Sequence, residues 1–397
     1  MSKDKLTPEL RFPEFDKDGK WDIKTFKELF EIGNGRDYKH LDEGDIPVYG
    51  SGGYMLSVND YLYDGESACI GRKGTINNPM FLSGKFWTVD TLFYTHSFKD
   101  CLPKYVYYLF QSIDWLKHNE AGGVPSLSKT NIYQIETLIS HPQEQQKIAA
   151  CLSSLDELIA AHNDKLDALK DHKKGLMQNL FPQEGETVPK VRFSEFEGDG
   201  DWLPTTVEDN CLVKGRIGYR GYTKQDLVKE GEGVLVLGGK HIQNQLLNIS
   251  DPTFLSWEKY YESPEIMVEV NHIIFSQRGT LGDCAIIDRA LGPATINPSM
   301  VLIKNITCVA RFLYYILIGD CIQEEVRKNR SNGAIPMLSQ KQIKGFSFLI
   351  PKPQEQQKIA SCLSALDKLI IAQTEKIEQL QQHKKGLMQG LFPKIEM

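Results

Sequence analysis

Apolar residues recur every three or four positions in a stretch that the chain contains twice, at residues 142–182 and 353–393. About 28 of the 41 aligned positions are identical, which marks an internal repeat. The spacing predicts a long helix with a narrow apolar stripe, which needs a partner helix. We expect the two copies to pair with each other. The stripe residues are Ile148, Leu152, Leu155, Ile159, Leu166, Leu169, Leu176 and Leu180, then Ile359, Leu363, Leu366, Ile370, Ile377, Leu380, Leu387 and Leu391.

The ends of both copies carry helix signals. Pro142 and Pro353 suit a first helical turn, and Pro182 and Pro393 end the pattern. At about 1.5 Å per residue each helix is on the order of 60 Å long. The polar residues that interrupt the stripe usually fix register, although a site for another protein is the alternative. These are His162, Lys173, Gln373 and Lys384.

The segments before the two helices also begin alike. Residues 10–15 followed by Trp21 match residues 191–196 followed by Trp202. Short β-type runs separated by Gly and Pro then alternate with one helical segment in each half. The predicted strands lie at 46–49, 67–71, 87–94, 234–237, 272–277 and 300–303, and the helical segments at 103–115 and 310–325.

Together these patterns predict an α+β fold with two globular domains, two long antiparallel helices that form a coiled coil, and a pseudo-twofold internal repeat. The predicted divisions are a first globular domain, a first spacer helix, a linker with the second globular domain, and a second spacer helix with its tail. Their bounds are 1–141, 142–182, 183–352 and 353–397. Two unlike globular domains on one conserved spacer indicate a molecule that contacts two different targets at a set separation.

Charge and composition narrow the function classes. The net charge of −6 argues against a generally basic surface, but residues 271–345 carry nine basic and five acidic side chains. The eight cysteines form no CxxC pair, and neither a signal segment nor a membrane-spanning run is evident. We therefore expect a reduced, cytoplasmic protein.

Catalytic motifs are missing from the sequence. The nearest approaches to an (N/D)PP(Y/F) methyltransferase loop, at Asp251-Pro252 and Asn297-Pro298, lack the second proline. No GxxxxGK[ST] phosphate loop, HExxH motif or Cys/His metal set is evident. We accordingly predict no catalytic residue and no metal ligand.

Two passages and one glycine-rich turn carry a family resemblance. Pro125-Ser126-Leu127-Ser128 precedes the helix opening PQEQQKI, and Pro336-Met337-Leu338-Ser339 precedes its second copy. With the turn Arg278-Gly279-Thr280-Leu281-Gly282, these motifs resemble the specificity subunits of type I restriction–modification systems, over essentially the full chain.

The resemblance implies two target-recognition domains, each of which reads one half of an asymmetric, bipartite site in double-stranded DNA. The paired helices would set the unread gap and help to dock two copies of a methyltransferase (modification) subunit that methylates adenine. A motor-nuclease (restriction) subunit would join for cleavage. The chain itself would be non-catalytic and without a cofactor, with S-adenosylmethionine and ATP on the partner subunits.

Basic and polar residues beside glycines are the candidate DNA contacts, since glycine lets the backbone approach and arginine bonds guanine bidentately. In the first domain they are Arg36, Arg72, Lys73, Thr75, Ser126, Ser128 and Lys129. In the second they are Arg216, Tyr219, Arg220, Lys240, His241, Arg278, Thr280, Ser331, Asn332, Ser339 and Lys341. For each one alone, the alternative is a solvated surface residue. The tyrosine pairs 107–108 and 314–315 are more typical of core than of base-stacking platforms.

Two other functions are compatible with parts of the pattern. A coiled-coil adaptor that joins two protein partners explains the helices and the acidic composition without DNA. A solitary nuclease or methylase requires an active site that the motifs do not reveal.

Overall fold

The computed structural model describes residues 6–331 and 336–393, apart from the side chain of Tyr219. The chain divides into two compact units. The first comprises Met1–Lys165 and Gln373–Met397, and the second comprises Leu166–Ala372. Each unit therefore contains one globular portion and segments of both long helices.

The first unit begins with a strand and a short helix, continues through a series of strands, and ends in the long helix α4. Its strands are β1 (Asp22–Thr25), β2 (Glu31–Asn34), β3 (Glu43–Gly50), β4 (Gly53–Val58), β5 (Tyr63–Asp64), β6 (Ser67–Gly71), β7 (Met80–Leu82), β8 (Lys85–Thr88), β9 (Leu92–His96) and β10 (Glu136–Ile139). Its helices are α1 (Phe26–Leu29), α2 (Pro103–Ser112), α3 (Lys129–Gln134) and α4 (Pro142–Asn179), of which the last continues into the second unit.

The second unit repeats this plan with additional short elements. Its strands are β11 (Leu203–Thr206), β12 (Leu212–Gly215), β13 (Leu227–Val228), β14 (Gly233–Leu237), β15 (Ile242–Gln243), β16 (Leu246–Leu247), β17 (Phe254–Ser256), β18 (Ile273–Ser276), β19 (Cys284–Ile286), β20 (Ala294–Ile296), β21 (Met300–Lys304) and β22 (Ser347–Ile350). Its helices are α5 (Val207–Asn210), α6 (Trp257–Tyr261), α7 (Ala310–Ile318), α8 (Asp320–Asn329), α9 (Gln340–Lys344) and α10 (Pro353–Leu391), of which the last continues into the first unit.

Two sheets of each unit have matching topology, and a third differs in its fourth strand, which pairs with β8 in the first unit and with β17 in the second. A two-stranded pair, β1–β10 or β11–β22, joins the start of each globular portion to the strand before its long helix. An antiparallel sheet follows, ordered β2-β9-β6-β7 in the first unit and β12-β21-β18-β19 in the second. A second sheet, β4-β3-β8-β5 or β13-β17-β14-β20, contains the single parallel pairing of each set. The predicted α+β class and internal repeat are confirmed.

Several predicted bounds differ from the structure. Both long helices begin at the predicted prolines but end at Asn179 and Leu391, before the prolines that close the pattern. The predicted strand 87–94 is two strands, because the chain turns between Thr88 and Leu92. The predicted helix 310–325 is two helices, because Gly319 takes an extended conformation.

In the first unit, the start of α4 packs against the end of α10. Ile148 and Leu152 share one buried cluster with Leu391 and Phe392. Farther along, the Gln373 amide nitrogen lies 2.7 Å from Nδ1 of His162 and donates to the His162 carbonyl at 2.7 Å. Residues farther along α4 contact residues that come earlier in α10, so the two helices are antiparallel here.

A charged node joins this helix pair to the globular portion of the first unit. Asp156 on α4 accepts a hydrogen bond from the Tyr108 hydroxyl at 2.8 Å and pairs with Lys384 on α10 at 2.6 Å. The Lys384 ammonium also donates to Gln111 at 3.1 Å. The polar positions predicted to fix register thus form specific contacts between helices.

The second unit contains the equivalent node. Asp367 on α10 accepts from the Tyr315 hydroxyl at 2.6 Å and pairs with Lys173 on α4 at 2.6 Å. Ile359 and Leu363 share a buried cluster with Leu180. Tyr108, Tyr314 and Tyr315 are fully or almost fully buried, so the expectation that they belong to the core is confirmed for these three. Tyr107 is only partly buried, at the margin of the first unit's core cluster.

The shared opening segment is fastened to the first turn of each long helix by a buried ion pair. Two guanidinium nitrogens of Arg11 donate to the two carboxylate oxygens of Glu144, both at 2.8 Å, and Trp21 Nε1 donates to the same carboxylate at 3.1 Å. The hydrogen bond to Glu144 raises the pKa of Arg11. Arg192 and Trp202 hold Glu355 in the same way.

We predict that Arg11→Ala lowers the free energy of unfolding by about 3–5 kcal/mol, because it leaves the Glu144 carboxylate buried without its cation. Urea unfolding of the full chain, followed by tryptophan fluorescence, measures the loss.

Lys147→Ala is the matched control, since Lys147 pairs with Glu14 at the surface at 3.0 Å. Its expected cost is under about 1 kcal/mol. Equal costs for the two variants would contradict a central role for the buried pair.

Candidate nucleic-acid interface

The loops that follow four strands of the first unit meet at one edge of its sheets. Strands β2 and β6 both pair antiparallel with β9, so they run in the same direction, and β3 is parallel to β8. We call the loops that follow these strands, together with the segment before α3, the first loop edge. It comprises residues 35–36, 51–52, 72–75, 89–91 and 125–127.

Backbone hydrogen bonds tie these loops together. The Arg36 N–H donates to the Thr88 carbonyl at 2.8 Å, and the Arg72 N–H donates to the Thr91 carbonyl at 2.8 Å. The Ser51 hydroxyl donates to the Lys73 carbonyl at 2.9 Å. The first loop edge is therefore held by main-chain hydrogen bonds and one from the Ser51 hydroxyl, none of which uses the side chains of Arg36, Arg72 or Lys73.

Glycines allow neighbouring backbone segments to approach each other closely at the first loop edge. A side chain at Gly71 would place its Cβ 2.0 Å from the Thr75 carbonyl oxygen. Gly74 has φ +89°, in the left-handed region that favours glycine. Its N–H donates to the Pro125 carbonyl at 2.9 Å, and an isolated β-bridge joins Lys73 to Ser126. The Arg72–Thr75 turn thus lies against the 125–127 segment.

The candidate residues of the first unit fall into two groups. Arg36, Arg72, Lys73 and Thr75 are exposed on the first loop edge, and Ser126 is half-buried beside them. The side chains of the other two candidates, Ser128 and Lys129, form hydrogen bonds within the fold.

Ser128 and Lys129 serve the local fold. The Ser128 hydroxyl accepts from the Asn131 N–H at 3.2 Å and so caps α3. The Lys129 ammonium donates to the Ile32 carbonyl at 2.6 Å. Burial, with a smaller contribution from Arg72, lowers the pKa of Lys129. Serine is among the residues preferred at this N-cap position.

The second unit has an equivalent arrangement. Strands β12 and β18 both pair antiparallel with β21, and β14 is parallel to β20. The loops after these four strands and the segment before α9 form the second loop edge. It comprises residues 216–220, 238–241, 277–280, 297–299 and 336–338.

Corresponding hydrogen bonds hold the second loop edge. The Gln277 N–H donates to the Ser299 carbonyl at 3.0 Å, and the Leu338 N–H donates to the Gln277 carbonyl at 2.9 Å. An isolated bridge joins Arg278 to Met337, as Lys73 is joined to Ser126 in the first unit. The two edges thus share a main-chain frame but carry different side chains at equivalent positions.

Three candidates of the second unit are exposed on this edge. Arg278 is exposed, and its guanidinium lies 3.2 Å from the Met337 sulfur. Thr280 is exposed, and its hydroxyl lies 3.7 Å from where a Cβ on Gly239 would be. Lys240 is exposed and pairs with the exposed Asp251 at 2.6 Å. The glycine-adjacent positions after β14 and β18 therefore come together.

The His241 side chain is buried. Its Nδ1 accepts from the Gly238 N–H at 2.9 Å, so Nε2 carries the proton that faces the Asp251 carbonyl at 3.2 Å. Burial lowers the pKa of the imidazole. The neutral ring braces the turn that carries Lys240.

Arg216 is also buried, with 7% of its surface exposed. Its guanidinium donates to the Thr295 and Ser263 hydroxyls at 3.2 and 3.3 Å, and it lies over the Tyr222 ring. Burial lowers the pKa of the guanidinium. The expectation of a direct DNA contact is replaced by a structural role, in which Arg216 supports the loop that contains Arg220.

The remaining candidates have mixed placements. Arg220 is partly exposed and pairs with Glu265 at 3.4 Å. The Ser331 hydroxyl accepts from the Met337 N–H at 3.0 Å, Ser339 caps α9, and Lys341 is exposed on α9. Tyr219 lies in a short 3-10 turn, and its side chain lies outside the described part of the chain, as does Asn332 altogether.

Sequence reasoning missed two supporting residues and two exposed leucines. The Asn119 side chain accepts from the Ser126 N–H at 2.9 Å, and Glu120 accepts from the Ser128 N–H at 2.7 Å, so both hold the 125–128 segment. Leu158 and Leu369 occupy equivalent positions of the two helical copies and are 44% and 55% exposed. The signal for these leucines was their repetition outside the apolar stripe.

Within residues 6–331 and 336–393, no group of three or more His, Cys, Asp or Glu side chains has the geometry of a metal site. Over the same described residues, no helix combines the length and apolar character needed to cross a bilayer.

Comparison with known proteins assigns the chain to a family. The model for the type I restriction modification DNA specificity domain matches residues 18–171 and again residues 217–382. The putative type I restriction enzyme MjaX specificity subunit of Methanocaldococcus jannaschii is 26% identical, over 73% of this chain and 67% of its own length. The MjaVIII specificity subunit of the same organism is 24% identical, over 85% of this chain and 79% of its own length.

Solved structures give the same fold. The S subunit of a type I restriction–modification system from M. genitalium aligns with a TM-score of 0.69 at 17% identity, over 98% of this chain and 100% of its own length. A chain from a structural study of complex assembly in the type I system aligns with a TM-score of 0.54 at 13% identity, over 93% of this chain and 96% of its own length. The adaptor alternative finds no support among these relatives. Because the family model matches both halves, this chain belongs to the type I restriction–modification DNA specificity family.

Proposed function

We propose that the first loop edge reads one half of a bipartite DNA site and the second loop edge reads the other half. The observation that carries this proposal is the shared main-chain frame with unlike exposed side chains. Arg72 and Lys73 occupy the turn after β6, where Gln277 and Arg278 occupy the equivalent turn after β18. Different side chains on like frames read different bases, so the recognised sequence is asymmetric.

The exposed side chains suit DNA. Arginine bonds the O6 and N7 atoms of guanine in the major groove, and lysine neutralises phosphate. Within the described residues, the Arg72 guanidinium donates to the Asp90 carbonyl at 3.4 Å and lies over the Phe93 ring, without a carboxylate partner. Its positive charge is therefore available to a nucleic acid.

The globular domains and the long helices have different roles in this proposed function. Residues 1–141 and 183–352 contain the two target-recognition domains. The helices within 142–182 and 353–397 set the distance between the half-sites. Half-sites one turn of B-DNA apart are separated by about 34–36 Å, which helices on the order of 60 Å long are able to span.

This chain supplies DNA recognition and is itself non-catalytic, in keeping with its family. We propose that it docks two copies of a methyltransferase subunit, which bind S-adenosylmethionine, and that a motor-nuclease subunit, which binds ATP, completes the restriction complex in the cytoplasm. Leu158 and Leu369 support the number of methyltransferase copies, because equivalent exposed leucines on two helical copies offer two like contact sites.

We predict that Arg72→Ala weakens binding through the first half-site alone and Arg278→Ala through the second alone, by about 1–3 kcal/mol each where the arginine contacts a base. Competition binding, with duplexes altered in one half-site at a time, measures each effect.

Arg289→Ala is the matched control, since Arg289 is an exposed arginine outside both loop edges. It is expected to leave both half-sites unchanged. If Arg72→Ala and Arg278→Ala relax the same half-site, the division of labour between the loop edges is wrong. Binding that ignores sequence and salt would contradict the proposed function itself.

We predict that Leu158→Glu and Leu369→Glu each remove one methyltransferase copy from the assembled complex, and that the double variant removes both. A charge at an apolar contact costs far more than it does on a free surface. Native mass spectrometry of the co-expressed subunits counts the copies. Leu203→Glu, at a leucine that is exposed outside the long helices, should retain both copies. Full occupancy in the double variant would place docking elsewhere.

A further inference from the structure

The hairpin formed by β3 and β4 of the first unit contains an irregularity next to its turn. Val48 pairs with Leu56 and Tyr49 pairs with Tyr54, so Met55 has no Cα partner on β3. This two-against-one pairing is a β-bulge with Met55 as the extra residue. Bulges bend the strand and re-aim a side chain, and they are frequent beside functional sites.

Met55 lies over a glycine. A Cβ on Gly50 would be 3.1 Å from the Met55 sulfur, 3.3 Å from a Val89 methyl and 3.6 Å from the Thr91 hydroxyl. The missing side chain at position 50 therefore provides the space into which the thioether fits. It also places Met55 beside the 89–91 loop, which belongs to the first loop edge.

The hairpin turn is fixed to the same edge by hydrogen bonds. The Ser51 N–H donates to the Thr91 hydroxyl at 3.4 Å, and the Ser51 hydroxyl donates to the Lys73 carbonyl at 2.9 Å. Thr91 in turn accepts the Arg72 N–H through its carbonyl. Met55 is thus part of the surface that presents Arg72 and Lys73.

Met55 is 47% exposed, and the preceding Tyr54 is 62% exposed. The Tyr54 ring packs edge-on against Tyr49 with ring centroids 6.1 Å apart. Met55 is held on one side by Gly50, and nearly half of its surface remains exposed. A bulge on an edge strand such as β4 also discourages strand pairing between molecules. That protection is better served by a charged side chain than by methionine, so it does not explain why a half-exposed methionine stands at this bulge.

We propose that Met55 is a specificity-determining residue that contacts the 5-methyl group of a thymine in the first half-site. Apolar side chains recognise thymine through this methyl group, which projects into the major groove beside the base edges that arginine reads. The inference rests on the proposed function and extends it by naming a base-specific contact.

The second unit lacks the bulged hairpin among its described residues. There, β14 pairs with β17, which comes after the β15–β16 pair in the chain and is not joined to β14 by a two-residue turn. The second loop edge carries its own exposed methionine, Met337, which is 41% exposed with its sulfur 3.2 Å from the Arg278 guanidinium. The contact made from the bulged hairpin is therefore assigned to the first half-site.

The test combines changes in the protein with a change in the DNA. Each thymine of the bound sequence is replaced in turn by deoxyuridine, which lacks only the methyl group, and binding by the full-length chain is measured. For the wild type we expect one position, in the half-site that Arg72→Ala relaxes, to weaken binding about three- to fivefold, the effect of one buried methyl-sized group.

Three variants assign the contact. Met55→Gln keeps the length of the side chain but removes its apolar character, so the deoxyuridine penalty should disappear. Met55→Leu should retain the penalty. Ile23→Ala, at an exposed apolar residue of the same unit outside the first loop edge, should leave it unchanged.

The possible failures are distinguishable. A wild-type chain without sequence preference overturns the proposed function. If the wild-type chain prefers a sequence but shows the same deoxyuridine penalties as the Met55→Gln variant, only the role of Met55 is overturned. A first half-site without any A·T pair overturns that role as well.

Discussion

The buried pairing of Arg11 with Glu144, and of Arg192 with Glu355, is the contact on which the rest of the structure depends. Each carboxylate has its oxygens occupied by one guanidinium and one indole N–H, and each is 1% exposed. A carboxylate at that depth is tolerated only with its partners present, because an unpaired buried charge costs several kcal/mol. The opening segment, its tryptophan and the first turn of the long helix are therefore required together, which explains why the three recur as a set while other segments differ.

The same division between fixed frame and variable surface runs through both globular portions. The loop edges are joined by main-chain hydrogen bonds, such as Arg72 N–H to Thr91 and Gln277 N–H to Ser299, which are independent of side-chain identity. Glycines stand where a Cβ would collide with a neighbouring carbonyl, as at Gly71. A frame built in this way permits exposed side chains to change without loss of geometry. If the loop edges read DNA as proposed, recognition of a new sequence needs substitutions on the loops and none in the core.

The sequence predicted the features that local signals encode. Pro142 and Pro353 begin helices because proline suits a first turn, and the strands 67–71 and 300–303 follow their β-branched and apolar runs. It did not predict which glycine-adjacent cations are exposed. Arg216 is buried because its acceptors come from residues 263 and 295, far along the chain, whereas Arg72 remains at the surface. The pairing of Glu144 with Arg11 was also not predicted, since Arg11 lies 133 positions earlier. Such contacts depend on tertiary structure, which periodicity does not contain.

The charged nodes fix the register of the two long helices within each unit. Asp156 receives both Lys384 from the other helix and the Tyr108 hydroxyl from α2, and Asp367 receives Lys173 and Tyr315. If one helix slid by a single turn, about 5.4 Å, the ion pairs Asp156–Lys384 and Asp367–Lys173 would both separate, and their charges would be left half-buried. An apolar stripe alone allows such a slide, because one leucine replaces another at each turn. The nodes remove that freedom, and through the tyrosines of α2 and α7 they also tie the register of the helices to the globular portion of each unit.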